Sequence, residues 1–218
     1  MTGWAKIGSR KPRKIEKRDH VRLLSLALPA LRALHNTWDK VAFLQFYSHL
    51  DTWDPKQLGW LHEVLWAHEK GLVVDHSIMH LSSRSMLFEK HYNVENNARC
   101  GSTAIRARQI DEGVDTVQDR PVYISIDTGV LDPAFAPATG TIEPGGWTTH
   151  ELLQILNGLS HADIKIIGAD IVEFAPAYDN RAETTGLAVA QIAYELLQWM
   201  ICVPVKPAGP LILECLYA

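Results

Sequence analysis

Four residues have the types and positions to do chemistry together: His49, Asp51, Asp127 and Glu173. Each follows an apolar run short enough to be a buried strand. Val41-Ala-Phe-Leu-Gln-Phe-Tyr47 precedes Ser48-His49-Leu50-Asp51, Val122-Tyr-Ile-Ser-Ile126 precedes Asp127, and Ile164-Lys-Ile-Ile-Gly-Ala-Asp-Ile-Val172 precedes Glu173. Imidazole and carboxylate are borderline and hard donors, so three such strand ends meeting at one rim of a sheet could hold a metal ion. Alternate residues of an extended segment face the same way, so His49 and Asp51 can reach one site, as His49 and Leu50 could not. Residue type alone leaves a plainer and commoner reading open: His49 a strand-end histidine, Asp51 the cap of a turn at Trp53-Asp54-Pro55, Glu173 a core-edge carboxylate.

The elements that must position these residues alternate in type. Apolar spacing predicts a buried helix from about residue 23, with Pro29 tolerated in its first turn, then the strand over 41–47. A helix over 61–71, a short strand over 78–81 and a helix over 102–110 follow. Thr148-Thr149-His150-Glu151 has the form of a capping box, placing a helix start at about Thr149 ahead of Leu152, Leu153 and Leu156. A last helix over 183–200 carries an apolar stripe and stops before Pro204, and 205–216 reads as an edge strand. Strands alternating with helices imply parallel pairing and an α/β fold, a doubly wound three-layer sandwich whose ligands bind beyond the strands' carboxyl ends. The expected organisation is a basic, disordered tail over residues 1–20 and one domain over 21–218, without internal repeats.

Composition narrows the partners. With 218 residues, 47% of them hydrophobic and 21% charged, the chain suits one globular core and neither a fibrous nor a disordered protein. A formal net charge of −4 gives no case for binding nucleic acid or an anionic membrane, so small molecules or proteins are the expected partners. The tail concentrates Lys6, Arg10, Lys11, Arg13, Lys14, Lys17 and Arg18, but a solvated tail is the commoner fate of such a run than a nucleic-acid arm. Cys100, Cys202 and Cys215 are three, without metal-type spacing, and read as reduced thiols. No apolar run is long enough to span a bilayer, and no export signal is visible, so a cytoplasmic location is expected.

The stretch Ser125-Ile126-Asp127-Thr128-Gly129-Val130-Leu131-Asp132-Pro133-Ala134-Phe135-Ala136-Pro137, with Ser48-His49-Leu50-Asp51-Thr52-Trp53-Asp54-Pro55, resembles the two metal-binding motifs of the manganese ureohydrolases. Ala138-Thr139-Gly140-Thr141 to Pro144-Gly145-Gly146 and Gly168-Ala169-Asp170-Ile171-Val172-Glu173 to Pro176-Ala177-Tyr178-Asp179 continue the likeness in order, over about residues 23–200. Trp53-Asp54-Pro55 and Ala182-Glu183-Thr184-Thr185 favour the agmatinase branch. The resemblance implies an arginase-like fold and manganese-dependent hydrolysis of a guanidino compound, agmatine first, to an amine, putrescine, and urea. It assigns His49, Asp51 and Asp127 to metal-ligand positions and Glu173 to the carboxylate that receives the substrate guanidinium, for which paired, charge-assisted hydrogen bonds are well suited.

The departures are as specific. Where the family has a bridging aspartate and a second aspartate, this chain has Tyr47 and Gly129, and Leu24 stands where a histidine should. Asp75-His76-Ser77 mimics the lost segment but follows the wrong helix. The stretch Gly59-Trp60-Leu61-His62-Glu63 is shortened where the family carries a substrate loop, and the family's N-terminal third is absent, which leaves a sheet edge open. Two divalent ions need several carboxylates, so one manganese or none is expected where the family holds two. Two functions therefore stand: an agmatinase-like ureohydrolase, or a catalytically impaired relative acting as a structural or partner subunit. A homo-oligomer is compatible with either.

Overall fold

Every residue of β1 (Val41–Phe46) is buried, as a strand covered on both faces must be. It is the central strand of a five-stranded sheet in the computed structural model, which describes residues 26–50, 63–84, 95, 97–99, 101–105 and 120–205. The other strands are β2 (Val73–Leu81), β3 (Ser102–Ile105), β4 (Pro121–Asp127) and β5 (Lys165–Val172). They lie in the order β3-β2-β1-β4-β5 with all four pairings parallel. The chain winds outward from β1 first to one side and then to the other, which is the doubly wound arrangement expected.

Helices cover both faces. Along β1 and β4 the odd-numbered Val41, Phe43 and Tyr123 join Ala27 and Leu31 of α1 (Ala27–Trp38) and Ala67 of α2 (Glu63–Glu69) in one core. The even-numbered residues, among them Leu44, Phe46, Ile124 and Ile126, pack against α3 (Thr149–His161) and α4 (Thr184–Cys202). The predicted capping box is formed. Thr148 Oγ1 accepts the Glu151 N–H at 3.1 Å and the Glu151 carboxylate accepts the Thr148 N–H at 2.8 Å. The residue preceding α4, Glu183, is in left-handed backbone and caps nothing with its side chain; Asp179 instead accepts the N–H groups of Thr185 and Gly186 at 3.2 and 2.9 Å. At the far end of α4, Trp199 Nε1 donates to Ile164 O at 2.8 Å, tying the helix to the start of β5.

Two expectations change. The segment expected as a helix over 102–110 begins as β3, because Thr103 and Ile105 are β-branched and β2 offers the segment a parallel ladder. The strand expected over 78–81 starts at Val73, with an irregular register between the pairs Val41–Val73 and Phe43–Ile78. Asp75 and His76 lie in this irregular half, His76 with φ 59°, at the end of β2 away from the strand's carboxyl terminus. The basic tail over 1–20 and the edge strand beyond Val205 fall outside the described residues.

The polar residues of the α1 face form a row. His80, Gln45, Ser125 and Asp170 are register partners across β2, β1, β4 and β5, and partners in a parallel sheet share a face. His80 is fully buried, neither ring nitrogen has a partner, and burial pushes its pKa down to about 4. The unfolded chain therefore takes up this proton near pH 6.5 and the folded chain only near pH 4, so stability is kept above that window and lost as pH falls through it. We expect about 2 kcal/mol less stability from this group at pH 5 than at pH 7. Denaturant unfolding at the two pH values should show that loss, and His80→Leu should remove it.

Candidate functional site

Parallel pairing brings three of the four candidate residues to one rim. Phe46, the last residue of β1, pairs with Ile126, and Asp127, the last of β4, pairs with Val172, the last of β5. His49, Asp127 and Glu173 therefore leave the sheet on the same side, as the strand-end argument requires. Asp51 lies outside the described residues. Among the described residues no three His, Cys, Asp or Glu side chains are grouped closely enough to hold a metal ion.

Local structure fixes each group. Asp127 is buried and its carboxylate accepts the Gly129 N–H at 2.7 Å, capping the 3₁₀ turn Thr128–Val130. The His49 ring stands 2.9 Å from Ser48 Oγ through Nδ1 and 3.4 Å from the Glu143 carboxylate through Nε2. Burial lowers the His49 pKa, and the Glu143 carboxylate opposes that shift. Glu173 is buried and has φ 60°, a left-handed backbone that a β-carbon makes costly and that is concentrated at functional sites. The turn is held by an Ala175 N–H to Ala138 O bond of 3.0 Å and by the bridge between Thr139 and Phe174.

Tyr47 and Gly129 differ in what they do. The Tyr47 phenol lies 2.7 Å from Ser125 Oγ, Ser125 donates in turn to Asp170, and the Tyr123 hydroxyl donates to the other Asp170 oxygen at 2.6 Å. Burial raises the Asp170 pKa, and the Ser125 and Tyr123 hydroxyls counter it. Gly129 lies outside the left-handed region, and a β-carbon there would stand 3.1 Å from Asp127 Oδ1 and 3.5 Å from Thr139 Oγ1. A side chain at 129 would thus enter the space beside Asp127, and the backbone permits it.

Arg84 and Glu143 were not singled out in the sequence, yet Arg84 joins the loops of the rim. Its N–H donates to Ser48 O at 3.0 Å, beside His49. Its guanidinium donates to Gly129 O at 2.7 Å, Val130 O at 3.1 Å and Leu131 O at 3.3 Å, and to Glu143 O at 2.7 and 3.1 Å. The five N–H groups of arginine suit this crowd of carbonyls, which an ammonium could not serve. Asp132 completes the tie by accepting the Ala134 and Gly145 N–H groups at 2.9 and 2.7 Å, which holds its pKa below the usual carboxylate range. Applying the strand-end rule to β2 as well, where Ser82-Ser83-Arg84 follows Leu81, would have found the arginine.

The fold and this rim define a parallel α/β protein with carboxylates and imidazole gathered at its strand ends. The chain belongs to the arginase family, whose model matches residues 24–198. It is 43% identical over 223 residues to a protein named putative agmatinase 1 of Schizosaccharomyces pombe, covering 93% of this chain and 55% of that protein. It is 38% identical over 183 residues to the agmatinase of Photorhabdus laumondii, covering 79% and 55%. Among solved structures it is similar to proclavaminate amidino hydrolase from Streptomyces clavuligerus, with a TM-score of 0.71 at 30% identity over 83% of this chain and 62% of that one. A hypothetical agmatinase from Burkholderia thailandensis gives 0.67 at 31% identity over 79% and 55%. The chain spans about half the length of the curated relatives it matches.

Removing the guanidinium strands several carbonyls at once. Arg84→Ala should cost about 3 kcal/mol, and Arg84→Lys should recover less than half of that. Thermal unfolding of the two variants beside the parent chain measures both.

Proposed function

We propose that this chain is an agmatinase-like ureohydrolase, a hydrolase acting on the C–N bond of a guanidino compound, with agmatine the first candidate and putrescine and urea the products. The observation that supports it best is Glu173, a buried carboxylate in left-handed backbone, one residue past the point where β5 pairs with Asp127. A buried carboxylate is matched by a planar guanidinium, which returns two charge-assisted hydrogen bonds and neutralises it. In the reaction, water oxygen bonds to the guanidinium carbon, the bond to the alkylamine nitrogen breaks, and the proton goes to the leaving amine as urea is released. The rest of this reading is a small guanidino substrate, no nucleic-acid partner and a cytoplasmic setting. In the structure, no helix among the described residues is long and apolar enough to cross a membrane.

The donor set fits one divalent ion in kind and not two. Asp127 and His49 stand at the rim, but the neutral Tyr47 and Gly129 supply no charge to offset the repulsion of a second cation. His49, Asp51 and Asp127 would hold a single manganese, which when bound supplies a water acidic enough to act as nucleophile near neutral pH. A second reading, a non-catalytic relative that serves as a structural or partner subunit, is favoured by Tyr47. Its side chain is 2% exposed and its hydroxyl is committed to Ser125, away from any coordination role.

Metal content and urea release separate the two. The parent chain should bind fewer than two manganese ions, measured by elemental analysis after dialysis. Tyr47→Asp with Gly129→Asp should raise manganese affinity at least ~10-fold, as restored ligands do. Urea release in that background should disappear with Glu173→Ala while manganese stays bound. Two tightly held ions in the parent chain, or no gain in the double variant, would refute this carry-over of ligand positions. Urea-free turnover mixtures at saturating manganese would leave the subunit reading as the function.

A further inference from the structure

Both ring nitrogens of His49 face side chains of this chain, and the two residues that hold them hang from one arginine. Nδ1 stands 2.9 Å from the Ser48 hydroxyl oxygen, and Nε2 stands 3.4 Å from a carboxylate oxygen of Glu143. The Arg84 N–H donates to Ser48 O at 3.0 Å, and the Arg84 guanidinium donates twice to Glu143 O, at 3.1 and 2.7 Å. These three bonds go to main-chain oxygens, so the Ser48 hydroxyl and the Glu143 carboxylate are left to the imidazole. Ser48 is fully buried, and the His49 and Glu143 side chains are 25% and 28% exposed, which shelters both contacts.

The two contacts do not carry equal information. A hydroxyl donates or accepts, so Ser48 fits either tautomer of a neutral imidazole. A carboxylate only accepts, so the nitrogen that faces Glu143 is the one that carries the proton. The lone pair then lies on Nδ1, where the Ser48 hydroxyl donates to it. We infer that Glu143 and Ser48 are positioning residues for His49: Glu143 fixes the Nε2–H tautomer and so makes Nδ1 the atom that donates to a divalent ion, and Ser48 caps that atom in the ion-free chain. The inference rests on the reading of His49 as a metal ligand.

Each holder has its own consequence. A carboxylate behind an imidazole fixes the ring's orientation and makes the opposite nitrogen a stronger donor. The serine cap satisfies a part-buried lone pair, but an ion has to displace that hydrogen bond, which weakens its binding. Rotation of Ser48 about its Cα–Cβ bond to another staggered rotamer is enough to release Nδ1. Arg84 sets the spacing of the two holders, because it grips the main chain of both.

Nitrogen NMR of the full chain with labelled histidine, at about pH 8 where a free imidazole is neutral, reads the tautomer, with His49→Gln identifying the resonances. The metal-free parent should carry its proton on Nε2. Glu143→Leu should lose that preference and weaken manganese binding, measured by calorimetry, at least ~10-fold. Glu143→Gln, whose amide oxygen still accepts, should keep the tautomer and lose less affinity than Glu143→Leu. Ser48→Ala should keep the tautomer and tighten manganese binding ~3-fold or more, because no capping bond has to be displaced. If Glu143→Leu fails to fold, the parent spectrum and the Ser48→Ala affinity carry the test. An Nδ1–H or doubly protonated ring in the parent, an unchanged ring in Glu143→Leu, a Ser48→Ala chain that binds manganese no more tightly, or a parent that binds none overturns the inference. None of these readouts uses a guanidino substrate, so a chain that releases no urea can still pass, and one that hydrolyses agmatine can still fail.

Discussion

The constraint on which the rest of this molecule depends is that all four strand pairings among the described residues are parallel. A parallel pair cannot be joined by a tight turn, so each return needs a crossover, and the crossovers put helices on the faces of the sheet. Burial of β1 and β4, the split of odd and even residues between two cores, and the gathering of strand ends at one rim are then consequences of one bonding pattern. Nothing at the rim had to be brought there separately. His49, Asp127 and Glu173 arrive together because their strands point the same way.

That logic is why so much was legible beforehand. Apolar runs named β1, β4 and β5 almost to the residue, and Thr148 with Glu151 fixed the start of α3, because these signals are local. The doubly wound order followed from element alternation alone. What was not legible depends on tertiary partners. Ser102–Ile105 has mixed propensity and became a strand only because β2 offered it a ladder. Arg84 looked like an ordinary surface residue, since the carbonyls that its guanidinium binds lie 45 and more positions away. The hydroxyl of Tyr47 finds Ser125 across 78 residues, and no spacing rule reaches that far.

At the rim the charge balance is managed from within. Burial lowers the pKa of the Arg84 guanidinium, and the charges of Glu143, Asp132 and Asp127 oppose that shift. The guanidinium donates to main-chain carbonyls of Gly129 and Glu143, so it ties the loops that carry Asp127 and Glu143 to each other. Tyr47 and Gly129 add no charge of their own to the same region.

The row of His80, Gln45, Ser125 and Asp170 bears on how the sheet finds its alignment. A strand that slides by two residues keeps its faces, so hydrophobic burial alone scarcely tells the native alignment from its nearest rivals. Here the rivals are unequal. Moving β5 two places one way would set Asp170 level with Asp127, two carboxylates side by side in a dry layer. Moving it the other way would carry the acid level with Tyr123 and out of line with Ser125. A few polar atoms that cost stability thus act as a vernier on the assembling sheet, marking one setting among several that oily side chains would accept.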